Sequence, residues 1–143
     1  MSFIAPDTLI AGYGNPIRSD DAVGLRVARE LAARGYRAVE TYQLAPELAE
    51  EIAAAARVIF VDCDITLPPG EVSVSRVSGN TRADSHVQTP ADLLRLANEV
   101  YGASPEAFLV GIGPVSLDLG ETLSPLVEAA VQKALQTVIE LSD

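Results

Sequence analysis

Two periods of apolar and polar residues alternate along this chain, and the places where one gives way to the other mark its elements. Residues 7–13 run apolar into a glycine turn and read as a first strand. Val23, Val27 and Leu31 then recur at helical spacing, which predicts a helix over 20–34 ended by Gly35. Tyr36 to Gln43 alternates as a second strand. Pro46 opens a helix to about Ala55, with Leu48 and Ile52 inward and Glu47, Glu50 and Glu51 outward. Val58-Ile59-Phe60-Val61 is apolar at every position, the mark of a strand covered on both faces of a parallel sheet. Asp62 falls at its carboxyl end.

Beyond Asp62-Cys63-Asp64 the pattern changes. Pro68, Pro69 and Gly70 make a turn, and Val72, Val74 and Val77 alternate as an edge strand that could run antiparallel. Ser78 to Thr89 is polar and carries Asp84, Ser85 and His86, the one histidine. Thr89 and Pro90 start a helix to about Tyr101, Ala107 to Ile112 form the last strand, and Ser124-Pro125 opens or kinks a helix reaching nearly to the end. Strands alternating with helices predict a three-layer α/β/α sandwich around a mostly parallel sheet of about five strands. In such sheets ligands bind beyond the carboxyl ends of the strands.

Composition narrows the class. A chain of 143 residues, 48% hydrophobic and 21% charged, fits a single domain over 1–143. Its net charge of −10 argues against nucleic acid or an anionic membrane surface and suits a cationic peptide or a metal-bearing partner. One cysteine allows no intramolecular disulfide, and no leader-like or membrane-spanning apolar run is evident, so a cytoplasmic location is expected. A monomer is expected as well.

The chemistry concentrates where the first strand meets the first helix. Gly12, Gly14 and Pro16 specify a tight turn; Ser19 or Asp20 is the natural helix N-cap, which leaves Asp21 in the first turn with its charge favoured by the helix dipole. A dinucleotide reading of Gly-x-Gly fails, because Ile17 stands in place of the third glycine and two carboxylates follow where a pyrophosphate would sit. Asp21 and Asp62, from the ends of two strands, together with His86 make two carboxylates and an imidazole. Such a set can hold a divalent metal or activate a water. Asn15 and Arg18 near the mouth, and Gln43 at a strand end, are candidate substrate contacts. Cys63 invites a thiol-hydrolase reading with His86 as base, but alternation turns residue 63 away from the side residue 62 faces and points it to the core.

These residues carry a resemblance. The stretch from Gly12 through Asn15-Pro16-Ile17-Arg18-Ser19-Asp20-Asp21 to Gly24 closely resembles the opening motif of the hydrogenase maturation proteases. Ile59-Phe60-Val61-Asp62 is similar to that family's second acidic motif and Ser85-His86 to its histidine motif. Gly111-Ile112-Gly113-Pro114 and Leu123-Ser124-Pro125-Leu126-Val127 resemble its C-terminal pair. The resemblance implies an endopeptidase that removes a C-terminal extension from the precursor of a nickel-containing hydrogenase large subunit after nickel insertion. It implies a nickel-recognition site at Asp21, Asp62 and His86, with the metal arriving on the substrate and no cofactor permanently bound. The chain departs from the family pattern at Thr41 to Leu48, in place of a glycine-rich stretch, at Cys63, in place of alanine, and at Gly113, in place of glutamine. A non-catalytic metal-sensing accessory protein on the same fold is the alternative, since reading a metal and using one need the same ligands.

Overall fold

The computed structural model describes residues 7–79 and 89–143. In chain order these form β1 (Thr8–Tyr13), a 3-10 turn (Ser19–Ala22), α1 (Val23–Ala33), β2 (Ala38–Thr41), α2 (Leu48–Ala53) and β3 (Arg57–Cys63). There follow β4 (Val72–Arg76), α3 (Pro90–Tyr101), β5 (Glu106–Ile112) and α4 (Pro125–Ser142). The five strands make one sheet in the order β2-β1-β3-β5-β4. All pairings are parallel except that of β4, which runs antiparallel to β5 and closes that edge.

Helices cover both faces, as expected. Ile10, Ile59, Val61, Val110 and Ile112 point to α1 and α4 and form one half of the core. Leu9, Ala11, Val58, Phe60 and Ala107 point to α2 and α3 and form the other. This alternation fixes the strand ends as well: Tyr13 continues the α2/α3 face of β1, Asp62 that of β3, and Cys63 turns to the α1/α4 side. No helix among the described residues is long and apolar enough to cross a membrane.

Most boundaries shift by a residue or two from the sequence expectation, for local reasons. The second strand is shorter than 36–43: Tyr36 N–H closes back on the Leu31 carbonyl at 3.0 Å, and the Thr41 hydroxyl donates to the Gln43 carbonyl at 2.6 Å. Ala45 and Pro46 accept from Leu48 and Ala49 in a turn, so α2 starts two residues after the proline. α3 begins and ends where the sequence places it. Thr89 accepts from the Asp92 N–H and donates its own N–H to Asp92, Pro90 fills the first helical position, and Gly102 closes the helix with φ 70°. Pro125 opens α4 and does not kink it.

The first helix differs more. Its predicted cap does not form: neither Ser19 nor Asp20 caps by its side chain, Ser19 sits at φ 49°, and a 3-10 turn precedes α1. What sets this geometry is the closeness of α1 to the sheet. A Cβ on Gly24 would lie 2.3 Å from the Val61 carbonyl oxygen and 2.9 Å from that of Tyr13, and one on Gly12 would lie 2.1 Å from the Gly24 carbonyl oxygen. Backbone therefore rests on backbone where α1 crosses the ends of β1 and β3, and the turn carrying the aspartates is held over those ends. Gly24→Ala is expected to cost about 3 kcal/mol or more, because the added methyl meets carbonyl groups that cannot rotate away. Gly102→Ala, where a Cβ meets nothing within 4 Å, should lose only the ~1 kcal/mol of its left-handed backbone. Urea unfolding of the two variants checks the contrast.

Candidate functional site

A cleft of about 270 Å³ opens beyond the carboxyl ends of β1 and β3, lined by Tyr13, Gly14, Asp21, Tyr42, Gln43, Leu44 and Asp62. It lies where the sheet order reverses: the crossover from β1 leads outward to β2, and the next leads back past β1 to β3. Of the residues singled out from sequence, Asp21, Asp62 and Gln43 meet in this cleft. Asn15 and Arg18 are not among its lining residues, and His86 lies outside the described residues. Among the described residues no group of three metal-ligating side chains is assembled.

Each cleft carboxylate is anchored by one backbone donor. The Asn15 N–H donates to Asp21 Oδ2 at 2.8 Å, and the Cys63 N–H donates to Asp62 Oδ1 at 2.7 Å. Asp62 is further hydrogen-bonded to Tyr13. Burial is the largest influence on Asp62 and raises its pKa to about 7; the Asp21 and Asp64 charges push the same way, while the Cys63 N–H and the Tyr13 hydroxyl pull against them. Tyr13 is itself raised, first by burial and then by the Asp62 charge, so its phenol stays protonated and donates. Asp62 is thus a carboxyl that exchanges its proton near neutrality, which suits a group that must take up a proton or give one way to a metal.

Asn15 works as a brace. Its backbone holds Asp21, its side-chain amide donates to the Tyr42 hydroxyl at 2.9 Å, and its side-chain oxygen accepts from the Ile17 N–H at 3.0 Å. Arg18 is exposed and donates through Nε to the Leu117 carbonyl at 3.1 Å, on the side of the turn that faces the loop after β5. Cys63 is half-buried against the α1/α4 core, and burial, followed by the Asp62 charge, pushes its thiol up to about 12. A thiol that holds its proton so firmly is a poor nucleophile.

The sequence reading missed the work of Asp20. This carboxylate is fully buried, with Oδ2 accepting from the N–H groups of Val115 and Ser116 at 2.9 and 3.0 Å and from the Ser124 hydroxyl at 2.8 Å. Its Oδ1 accepts from the Ser124 N–H at 2.7 Å. Burial acts to raise its pKa, but these four donors outweigh it and the net shift is downward. The Ser19 hydroxyl on the Asp118 carbonyl at 2.7 Å, and paired backbone bonds between Ile17–Ser19 and Gly120, complete the latch. Asp64 closes a turn by accepting from the Thr66 N–H and hydroxyl. One signal for the cleft was available: the alternation that puts Leu9 and Ala11 on one face puts Tyr13 beside Asp62.

With this geometry in place, comparison with known proteins identifies the lineage. A family profile described as hydrogenase maturation protease matches residues 25–141. The chain belongs to the hydrogenase maturation protease family. Among curated relatives of this family, it is 32% identical over 151 residues to the hydrogenase expression/formation protein HoxM of Azotobacter vinelandii, covering 95% of this chain and 72% of that protein. Its fold is similar to that of the [NiFe] hydrogenase maturation protease HybD from Thermococcus kodakarensis, with TM-score 0.78, 28% identity and coverage of 95% and 99% of the two chains. The hydrogenase maturating endopeptidase HybD from E. coli gives TM-score 0.76 and 26% identity over 94% of this chain and 90% of that one. Membership in a protease family favours a peptidase over a non-catalytic sensor.

Two expectations follow for this maturation protease. Asp20→Asn keeps the shape but supplies one acceptor oxygen where four donors converge, and should lose about 2–4 kcal/mol in urea unfolding at pH 7. For Asp62 the sign is opposite. Unfolded, it releases its proton near ~3.9; folded, near 7, so its contribution is present below about pH 4 and is lost as pH rises to about 7. Asp62→Asn should therefore be more stable than wild type by about 1–2 kcal/mol at pH 8, with the difference vanishing toward pH 4.

Proposed function

We propose that this protease removes a C-terminal extension from the precursor of a nickel-containing hydrogenase large subunit, after nickel insertion. The observation that carries the proposal is the meeting of Asp21 and Asp62 in one cleft at the strand ends, each fixed by a backbone N–H, with Asp62 poised to exchange its proton near neutrality. It is supported by the related proteins, one of which is described as a hydrogenase maturating endopeptidase.

The residues suit a metal that comes with the substrate. Two carboxylates, with His86 as third donor, leave positions open on a four- to six-coordinate ion, and one imidazole with hard oxygens makes a poor permanent cage for nickel. Bound nickel would supply positive charge to anchor or polarise the scissile segment. Asp21 keeps one oxygen on Asn15 and has the other for a ligand; Asp62 gives up its proton on engagement, so recognition is linked to proton release. The peptidase is of the aspartic type in this reading, and the Cys63 thiol takes no part.

Asp21→Asn, Asp62→Asn and His86→Ala should each lower cleavage of nickel-loaded precursor by at least ~100-fold with an unchanged circular dichroism spectrum. Cys63→Ala should cleave normally. The nickel-free precursor should stay uncut, and the protease as isolated should hold no stoichiometric metal. Full activity in any two of the three site variants, or equal cleavage of both precursors, overturns the assignment.

A further inference from the structure

β2 is an edge strand whose outer backbone is unused. Its inner side is paired to β1, with the Ile10 N–H on the Arg37 carbonyl and the Gly14 N–H on the Thr41 carbonyl at 2.9 and 3.2 Å. In a parallel ladder the alternate residues, Ala38, Glu40 and then Tyr42, turn both N–H and C=O outward. Those groups have no backbone partner among the described residues.

Two grooves flank this edge. The one on the α2 side, about 330 Å³, is lined by Val39, Thr41, Ala45, Leu48, Glu47 and Glu51 and includes no basic residue. The one on the α1 side, about 220 Å³, is lined by Pro16, Leu25 and Tyr42, with Arg29 already paired to Glu40 at 2.8 Å. Both reach Glu40 and Thr41, and Tyr42 belongs at once to the α1-side groove and to the Asp21/Asp62 cleft. A short edge with a charged residue can be a guard against aggregation. Here the Glu40 charge is neutralised by Arg29, and the edge opens onto side-chain-sized recesses on both faces.

We propose that the outer edge of β2 takes an extended segment of the protein substrate as an added strand and leads it to the Asp21/Asp62 cleft. Side chains of such a strand alternate between the faces: basic ones meet Glu47 and Glu51, and apolar ones enter the groove of Pro16, Leu25 and Tyr42. The occupant is therefore a segment of alternating basic and apolar residues next to the cleavage point, matched in sign to a chain of net charge −10. This inference rests on the processing reading above for the identity of the substrate.

Proline at position 40 removes one outward N–H and leaves the β1 ladder whole. Glu40→Pro should raise KM for nickel-loaded precursor roughly tenfold or more with kcat near wild type, while Glu40→Gln, which keeps the N–H, should change KM little. Independently of whether Glu40→Pro folds, pulsed hydrogen exchange at the Ala38, Glu40 and Tyr42 amides of the wild-type protein should slow while saturating nickel-loaded precursor is present. Cleavage by wild type with no gain of protection at these three amides, or with wild-type KM in a folded Glu40→Pro, overturns strand addition and leaves the processing reading standing. Protection without cleavage by wild type would uphold strand addition and overturn the processing reading.

Discussion

Where α1 crosses the carboxyl ends of β1 and β3, there is no room for side chains, and this closeness governs what the molecule can do. Gly12 and Gly24 bring helix backbone against strand backbone, so the turn before the helix hangs over the ends of both strands. Asp21 on that turn and Asp62 at the end of β3 then face one cleft, although 40 residues of chain separate them. The contact is steric and tolerates no substitute, which is why the glycines frame the motif from both sides.

Two aspartates at this end of the sheet meet opposite fates. Asp20 is buried among four donors and is held ionised; it serves the fold. Asp62, across from Asp21, is half-buried with few donors and near other acids, and it holds its proton until about pH 7. The first arrangement stabilises the chain and the second destabilises it near neutrality.

The sequence carried the architecture well because period and composition are local properties. The wholly apolar run before Asp62 could only be a doubly covered strand, and the antiparallel turn of β4 was within the range left open. The cleft was legible to the extent that strand alternation and strand ends could be followed: Asp62 faces the cleft and Cys63 turns from it for the same reason. Asp20 was not legible. Its position looks like a helix cap, and what decides otherwise is a set of donors about 100 residues further on, which no local pattern contains. The duties of Asn15 were hidden differently: its backbone bond to Asp21, six residues on, depends on the shape of the turn, and its amide bond to Tyr42 on how β1 and β2 are paired.

That distance has a consequence for how the molecule is made. The partners of Asp20 lie between Val115 and Ser124, so during synthesis the Asp21 turn has nothing to latch to until most of the chain has left the ribosome. The sheet neighbours β1, β2 and β3 can pair earlier, but the turn above them stays unfastened. A nascent chain therefore presents strands without a finished cleft, and the cleft is completed as one of the last events of folding.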